Sequence, residues 1–182
     1  MSTPETTAPP PAIPRESNGL RWLWLSGLIV ALDQLAKLLV VRHLQLYERT
    51  ILLPFLDFTR LHNTGAAFSV LAGASGWQRE FFIVLASIVC VGIVVWLSRL
   101  KARSQAVLAA GLALIAGGAL GNLVDRVRLH HVIDFIHFHW RGWEFPAFNV
   151  ADSAITIGAA LLLLDALLEA RRVRQRGTPG SS

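Results

Sequence analysis

Four long apolar runs divide the chain, at residues 20–41, 81–100, 106–124 and 150–168. Each is close to the roughly 20 residues that a helix needs to cross a hydrocarbon layer. The pattern predicts four transmembrane helices, near 20–41, 81–100, 106–125 and 150–168. The connection 42–80 is too polar to span. Within it, 51–53 and 55–61 are short and rich in strand-forming residues, and Asn63-Thr64-Gly65 is a turn signal, so a small β element resting on the membrane is expected. The connection 126–149 carries Phe138, Trp140, Trp143 and Phe145 with Gly142 and Pro146 over 137–148, which reads as an interfacial loop. Residues 1–19 hold five of the eight prolines and cannot bury a core; they read as a disordered tail, and 171–182 as a basic one. The expected fold class is an all-α membrane protein: one domain over 20–170, a four-transmembrane-helix bundle with a β cradle and an interfacial loop.

Polar residues interrupt these runs. Asp33 and Lys37 lie within the first, Asp125 and Arg126 close the third, and Asp152 opens the fourth. An ionised side chain at the centre of a membrane helix costs roughly 2.5–3.5 kcal/mol on insertion scales, so such residues are functional candidates. Composition agrees with the membrane class: 53% of residues are hydrophobic. The net charge of +5 raises nucleic acid as a partner, but the basic clusters flank apolar runs, where topology control and membrane lipids account for them. Cys90 is the single cysteine, which rules out an intrachain disulfide and a cysteine metal site. It reads as a small buried apolar residue. The first run is too long for a cleaved signal peptide, and no small-residue cleavage site follows it before Asp33.

Charge sets the orientation. Arg15, Arg21, Arg99, Lys101, Arg103, Arg171, Arg172, Arg174 and Arg176 fall on one side of four spans. Arg42, Arg49, Arg60, Arg79, Arg126, Arg128 and Arg141 fall on the other, spread over two longer segments. The denser side should be cytoplasmic and hold both termini. Trp22, Trp24 and Trp96 then sit at the inner interface, and Trp77, Trp140 and Trp143 at or beyond the outer one. This orientation brings Asp33, Lys37, Asn122, Asp125, Arg126, Asp134, Asn149 and Asp152 to one depth, near the outer leaflet. Scattered structural polar residues have little reason to converge so.

Asp134 lies in Val132-Ile133-Asp134-Phe135-Ile136, where apolar neighbours desolvate it and raise its pKa. Asp152 lies in Asn149-Val150-Ala151-Asp152; with Asn149 as N-cap, it falls in the first helical turn, whose dipole favours the ionised form. Two carboxylates in unlike environments can divide one proton, the requirement of aspartyl protease chemistry. Taken singly, Asp152 could instead be a helix-start acid and Asp134 a solvated loop acid. Asp33 and Lys37 share a helical face at i, i+4 and read as a structural pair. Asn122, Asp125 and Arg126 share another by i, i+3, i+4 spacing, divided between scaffold and substrate positioning. Asn63, with Gly65 behind it, could present an amide to a peptide backbone or simply make a turn. His62, His130, His131, His137 and His139 raise the question of metal, but no zinc spacing completes them. No Gly-x-Ser-x-Gly elbow is present. A Ser153–Lys37 dyad is conceivable, and intramembrane acids also suit a proton-coupled transporter.

Together the motifs Asp33-Gln34-x-x-Lys37, Asn63-Thr64-Gly65-Ala66-Ala67-Phe68, Gly121-Asn122-Leu123-Val124-Asp125-Arg126, Val132-Ile133-Asp134-Phe135 and Phe148-Asn149-Val150-Ala151-Asp152-Ser153 resemble the lipoprotein signal peptidases, or type II signal peptidases. They run in family order across residues 20–168. The resemblance implies four transmembrane helices, cytoplasmic termini and an extracytoplasmic β cradle. It implies an intramembrane aspartyl endopeptidase of the bacterial plasma membrane, cleaving diacylglyceryl-modified prolipoproteins just before the lipidated cysteine. By motif match Asp134 and Asp152 would be the catalytic dyad. Asn63, Gly65, Asn122, Arg126 and Asn149 would bind substrate or support the dyad, and Asp33, Lys37 and Asp125 would hold the scaffold. The family implies no metal or other cofactor, a monomer among membrane lipids, and inhibition by globomycin-type cyclic peptides.

Overall fold

The structure, a computed structural model, describes residues 18–65 and 77–176. Most of the expected N-terminal tail, the Ala66-Ala67-Phe68 part of one motif and the last six residues lie outside the described residues. Among the described residues, four helices are long and apolar enough to cross a membrane. They are α1 (Leu23–His43), α2 (Trp77–Arg99), α3 (Ala106–Leu129) and α4 (Val150–Arg176). A 3₁₀ turn, Gly19–Trp22, leads into α1, with the Asn18 side chain accepting from the Leu20 N–H.

Several ends differ from the sequence pattern. Helix α2 starts four residues early and α3 runs on to Leu129, where His130 takes a left-handed conformation (φ 68°) and stops it. Helix α4 continues past Leu168 to Arg176, so Arg171, Arg172 and Arg174 of the basic tail belong to the helix. The apolar run measures only the part that meets lipid. The Ala, Glu, Arg and Gln beyond it are good helix formers with no Gly or Pro until Gly177.

The bundle turns its polar residues inward. Buried positions on α1 are Ser26, Asp33, Lys37 and Val40, one stripe at helical spacing, while Leu28, Leu32, Leu35, Leu38 and Leu39 face outward. Helix α3 is central and packs against α1, α2 and α4. Its small residues allow close approach, as expected where lipid removes the hydrophobic drive between helices. A Cβ on Gly117 would lie 2.9 Å from the Ser26 carbonyl oxygen of α1. One on Gly111 would lie 2.9 Å from the Gly158 carbonyl oxygen of α4, and one on Gly118 would collide with Ala151. Ser26 Oγ donates to the Ala113 carbonyl at 2.7 Å. Cys90 is buried against α3, in keeping with its reading from sequence.

At one end a four-stranded antiparallel sheet, order β1-β2-β3-β4, caps the bundle. Its strands are β1 (Arg49–Leu53), β2 (Leu56–Asn63), β3 (Val132–Trp140) and β4 (Trp143–Glu144). The first two are the expected β element. The other two correct the loop expectation: Asp134 sits on a strand, and the first residues of 137–148 continue that strand into a hairpin turned by Arg141 (φ 49°) and Gly142 (φ 84°). Val132, Ile133, Phe135 and Ile136 put apolar side chains on both faces of this strand, both of which are covered at its start, so the run shows no polar–apolar alternation to mark it. At the opposite end Gly19 N–H donates to the Leu100 carbonyl at 2.9 Å, so the turn that leads into α1 and the basic link between α2 and α3 lie together.

Candidate active site

Two backbone devices deliver the acids to one place. In β2–β3 pairing, Asn63 lies opposite Val132 and Leu61 opposite Asp134. Beyond the hairpin the chain returns along β3, where the Phe148 carbonyl accepts from the Phe135 and Ile136 N–H groups at 3.0 and 2.8 Å. That return sets Asn149, the residue before α4, beside Asp134. Asn149 Oδ1 accepts from the Asp152 N–H at 2.9 Å, and Asp152 Oδ2 accepts from the Asn149 N–H at 3.3 Å. This is a reciprocal cap with Asn and Asp in the two roles. The Asn149 Nδ2 also donates to Asp134 Oδ1 at 2.7 Å. One fully buried amide thus couples the first turn of α4 to β3.

Two more amides complete the frame. Asn63 Nδ2 donates to Asp134 Oδ2 at 2.9 Å while its Oδ1 accepts the Gly65 N–H at 3.0 Å. That second bond is an Asx turn, which fixes the way the Asn63 amide points. Gly65 has φ 127°, a backbone conformation that favours glycine, and a Cβ there would also press on the Phe82 ring at 3.2 Å. Asn122 Nδ2 donates to Asp152 Oδ1 at 2.7 Å, and its Oδ1 accepts from Lys37 Nζ at 3.1 Å.

Behind the amides lies a buried ion cluster. Lys37 Nζ is 2.7 Å from Asp33 and 2.8 Å from Asp125, with all three side chains almost wholly enclosed. Gln34 Nε2 donates to Asp125 at 2.8 Å. The carboxylates also grip backbone: Asp33 Oδ1 accepts from Ala151 N–H at 2.9 Å, and Asp125 Oδ2 from Ile133 N–H at 3.2 Å. Ala151 precedes Asp152 and Ile133 precedes Asp134. The cluster therefore holds the residue next to each acid, and one of these bonds satisfies a free N–H of the first turn of α4.

Asp134 is 3% exposed. Burial, and then the charge of Asp152, push its pKa up to about 7, against the pull of the Asn63 and Asn149 amides and of Lys37. A carboxyl that half-ionises near neutral pH, beside a second carboxyl, can give and take a proton under cellular conditions.

The remaining candidates divide. The Arg126 guanidinium stays close enough to Asp152 and Asp134 to feel their charge and donates from Nη1 to the Asn122 carbonyl at 3.4 Å, while also lying 4.9 Å from the centre of the Phe82 ring of α2; Arg79 Nε donates to the Arg126 carbonyl at 3.0 Å. Ser153 Oγ bonds the Asn149 carbonyl and Lys37 is held by its acids, so no Ser–Lys dyad forms. His137 and His139 do point the same way, toward Asp57, at 3.8 and 2.9 Å. Burial alone would raise the Asp57 pKa, but Arg49 and His139 beside it hold it below the usual range. Among the described residues no group of three or more His, Cys, Asp or Glu is placed to hold a metal ion. The sequence reading gives no role to Gln34, although it stands in the Asp33-Gln34-x-x-Lys37 motif, and none to Asp57 or the Phe148 carbonyl. Gln34 could have been found from its place beside Asp33 in a polar break of an apolar run; a carbonyl leaves no sequence signal.

Residues 25–168 match the family model described as Signal peptidase (SPase) II. The chain belongs to the signal peptidase II family. A protein named lipoprotein signal peptidase from Pseudomonas syringae pv. tomato is 56% identical over 148 residues, covering 80% of this chain and 85% of that one. Another of the same name from Pseudomonas aeruginosa is 52% identical, covering 80% and 87%. A solved bacterial membrane enzyme, determined by the in meso method, superposes with a TM-score of 0.71 at 31% identity, over 82% of this chain and 88% of the other. A second gives 0.70 at 30% identity, over 81% and 92%. This signal peptidase II family member is a protease and a multi-pass inner membrane protein. The transporter alternative finds no support in these matches.

Proposed function

We propose that this peptidase is an aspartic endopeptidase that removes signal peptides from diacylglyceryl-modified prolipoproteins, cutting just before the lipidated cysteine. The observation that carries the reading is the Asn149 side chain, bonded at once to Asp134 and to the backbone of Asp152. Asp134, whose pKa lies near 7, holds the proton and acts as the acid; Asp152 acts as the base. Asp152 takes a proton from water as the water attacks the scissile carbonyl. Asp134 protonates the carbonyl oxygen, and the tetrahedral species then collapses with proton transfer to the leaving amine. Asn63, Gly65, Asn122, Arg126 and Asn149 orient the acids and substrate backbone, while Asp33, Lys37 and Asp125 keep the frame rigid. A cavity of about 470 Å³ bounded by Phe145, Phe148, Asp152, Thr156 and Ile157 suits an apolar segment arriving along α4.

Both termini lie in the cytoplasm and the site at the outer leaflet, a reading supported by the basic residues gathered at the end opposite the sheet. The single domain 20–170 works as a monomer and takes globomycin-type cyclic peptides in the substrate's place. The decisive test is cleavage of a lipidated prolipoprotein in proteoliposomes. Asp134→Asn and Asp152→Asn should each lower turnover at least about a hundredfold with helical content unchanged. Wild-type turnover in either would falsify the dyad.

A further inference from the structure

A second cavity, of about 470 Å³, opens on the other side of β3 from the Asn149 bridge, between α1, the end of α3 and β2. Its walls divide by chemistry. On the α1 side stand Leu35, Leu38 and Val41, of which Leu35 and Leu38 are half exposed where the helix meets lipid. Toward the sheet stand Arg60 and Arg128. The cavity also meets Lys37 and Asp125, members of the enclosed cluster in which one ammonium faces the carboxylates of both Asp33 and Asp125. No carboxylate pairs with Arg60 or Arg128 among the described residues. Arg60 spends Nη1 on the Leu44 carbonyl at 3.2 Å, and its Nε is buried without a hydrogen-bond partner. His62 Nε2, also on the cavity, is likewise buried and unpartnered. His62 stacks on His131 with ring centres 3.7 Å apart. Burial first, and then neighbouring positive charge, lower the pKa of His62, and burial lowers that of His131. With both rings favoured in the neutral form, the cavity's positive charge outside the ion cluster comes from the two arginines.

Leaving a buried polar group unpaired is costly, and native structures rarely keep one without a partner. Here two guanidinium groups with no carboxylate partner among the described residues share a cavity with a leucine wall that continues into the lipid-facing surface of α1, and enclosed polar atoms of Arg60 and His62 without a hydrogen-bond partner lie beside it. We propose that this cavity binds one anionic phospholipid, its phosphate on Arg60, Arg128 and His62 and an acyl chain along Leu35 and Leu38. Neither a free phosphate nor a neutral lipid satisfies both walls. The bound lipid would lie against β2 and the α3–β3 junction, the elements that carry Asn63 and Asp134, without entering the catalytic frame.

Native mass spectrometry on the full-length protein in detergent tests this, titrated with phosphatidylglycerol, diacylglycerol or inorganic phosphate. Arg128 is exposed and makes no hydrogen bond or ion pair among the described residues, so Arg128→Gln and Arg128→Glu should fold as wild type, which the thermal midpoint checks. The first phosphatidylglycerol should bind about fivefold more weakly to Arg128→Gln, and on the order of 30-fold more weakly when Arg60→Gln is added. Arg128→Lys should recover most of the loss. Diacylglycerol should bind equally to all, and phosphate should not compete. Equal phosphatidylglycerol binding by wild type and Arg128→Glu would overturn the site. Preferential diacylglycerol binding that ignores the arginines would reduce it to an apolar groove, and displacement by millimolar phosphate would make it a free-anion site; either result refutes the proposal.

Discussion

Lys37 offers the sharpest perturbation. Its ammonium is 2.7 Å from Asp33, 2.8 Å from Asp125 and 3.1 Å from Asn122 Oδ1, and the residue is 2% exposed. Lys37→Met keeps the length and removes the charge, leaving two enclosed carboxylates to repel each other. Breaking a buried pair this way costs about 3–5 kcal/mol, a large share of the roughly 5–15 kcal/mol by which a domain is stable. For a chain of this size that is a fall in thermal midpoint of about 6–20 °C. Adding Asp33→Asn and Asp125→Asn should recover much of it, since a neutral cluster is far cheaper to bury than an unpaired charge. The assay is thermal unfolding in detergent, paired with cleavage across pH. The second readout has a defined sign. Lys37 favours the ionised form of Asp134, so its loss raises that pKa above its present value of about 7 and shifts the Asp134-controlled limb of the rate profile to higher pH. A midpoint change under about 2 °C together with an unmoved profile would refute the account of the cluster.

Other outcomes follow from the same geometry. With Asp134 as the acid, turnover should decline as pH rises through about 7 and decline again in acid as its partner protonates; a rate flat from pH 6 to 8 would count against the assignment. Because the folded Asp134 holds its proton to higher pH than the unfolded chain does, it lowers stability between roughly pH 4 and 7, by at most on the order of 4 kcal/mol. Asp134→Asn should therefore melt higher than wild type at pH 8 and no higher at pH 4, by calorimetry at both. Asn149→Ala removes the cap, worth about 1 kcal/mol, and a donor to Asp134; turnover should fall far more than stability, and a proportionate loss of both would argue for a purely structural role. Gly118→Ala drives a methyl group into the Ala151 backbone and should cost about 1–3 kcal/mol and displace Asp152, read as lost turnover in protein that still inserts.

Much of this was legible in the chain itself. Four apolar runs near bilayer length give four spans, because a backbone in lipid must satisfy its own hydrogen bonds and a helix does so locally. Charges inside those runs mark the site, since only function or pairing offsets their burial. The Asp33–Lys37 contact followed from helical spacing alone. What stayed hidden depends on contacts distant in sequence. Strand β3 has both faces covered and no alternation to betray it. The continuation of α4 lies where helix propensity outlasts hydrophobicity. No local pattern says that Asn149 joins Asp134 across the Phe148 return, or that Asp33 and Asp125 hold the N–H groups of Ala151 and Ile133, 118 and 8 residues away. Sequence determined which groups this protein would bury in the membrane, because partition between water and lipid is decided residue by residue. Tertiary structure alone decided which of them touch, because hydrogen-bond partners far apart in the chain meet only when helix packing and strand register bring them within about 3 Å.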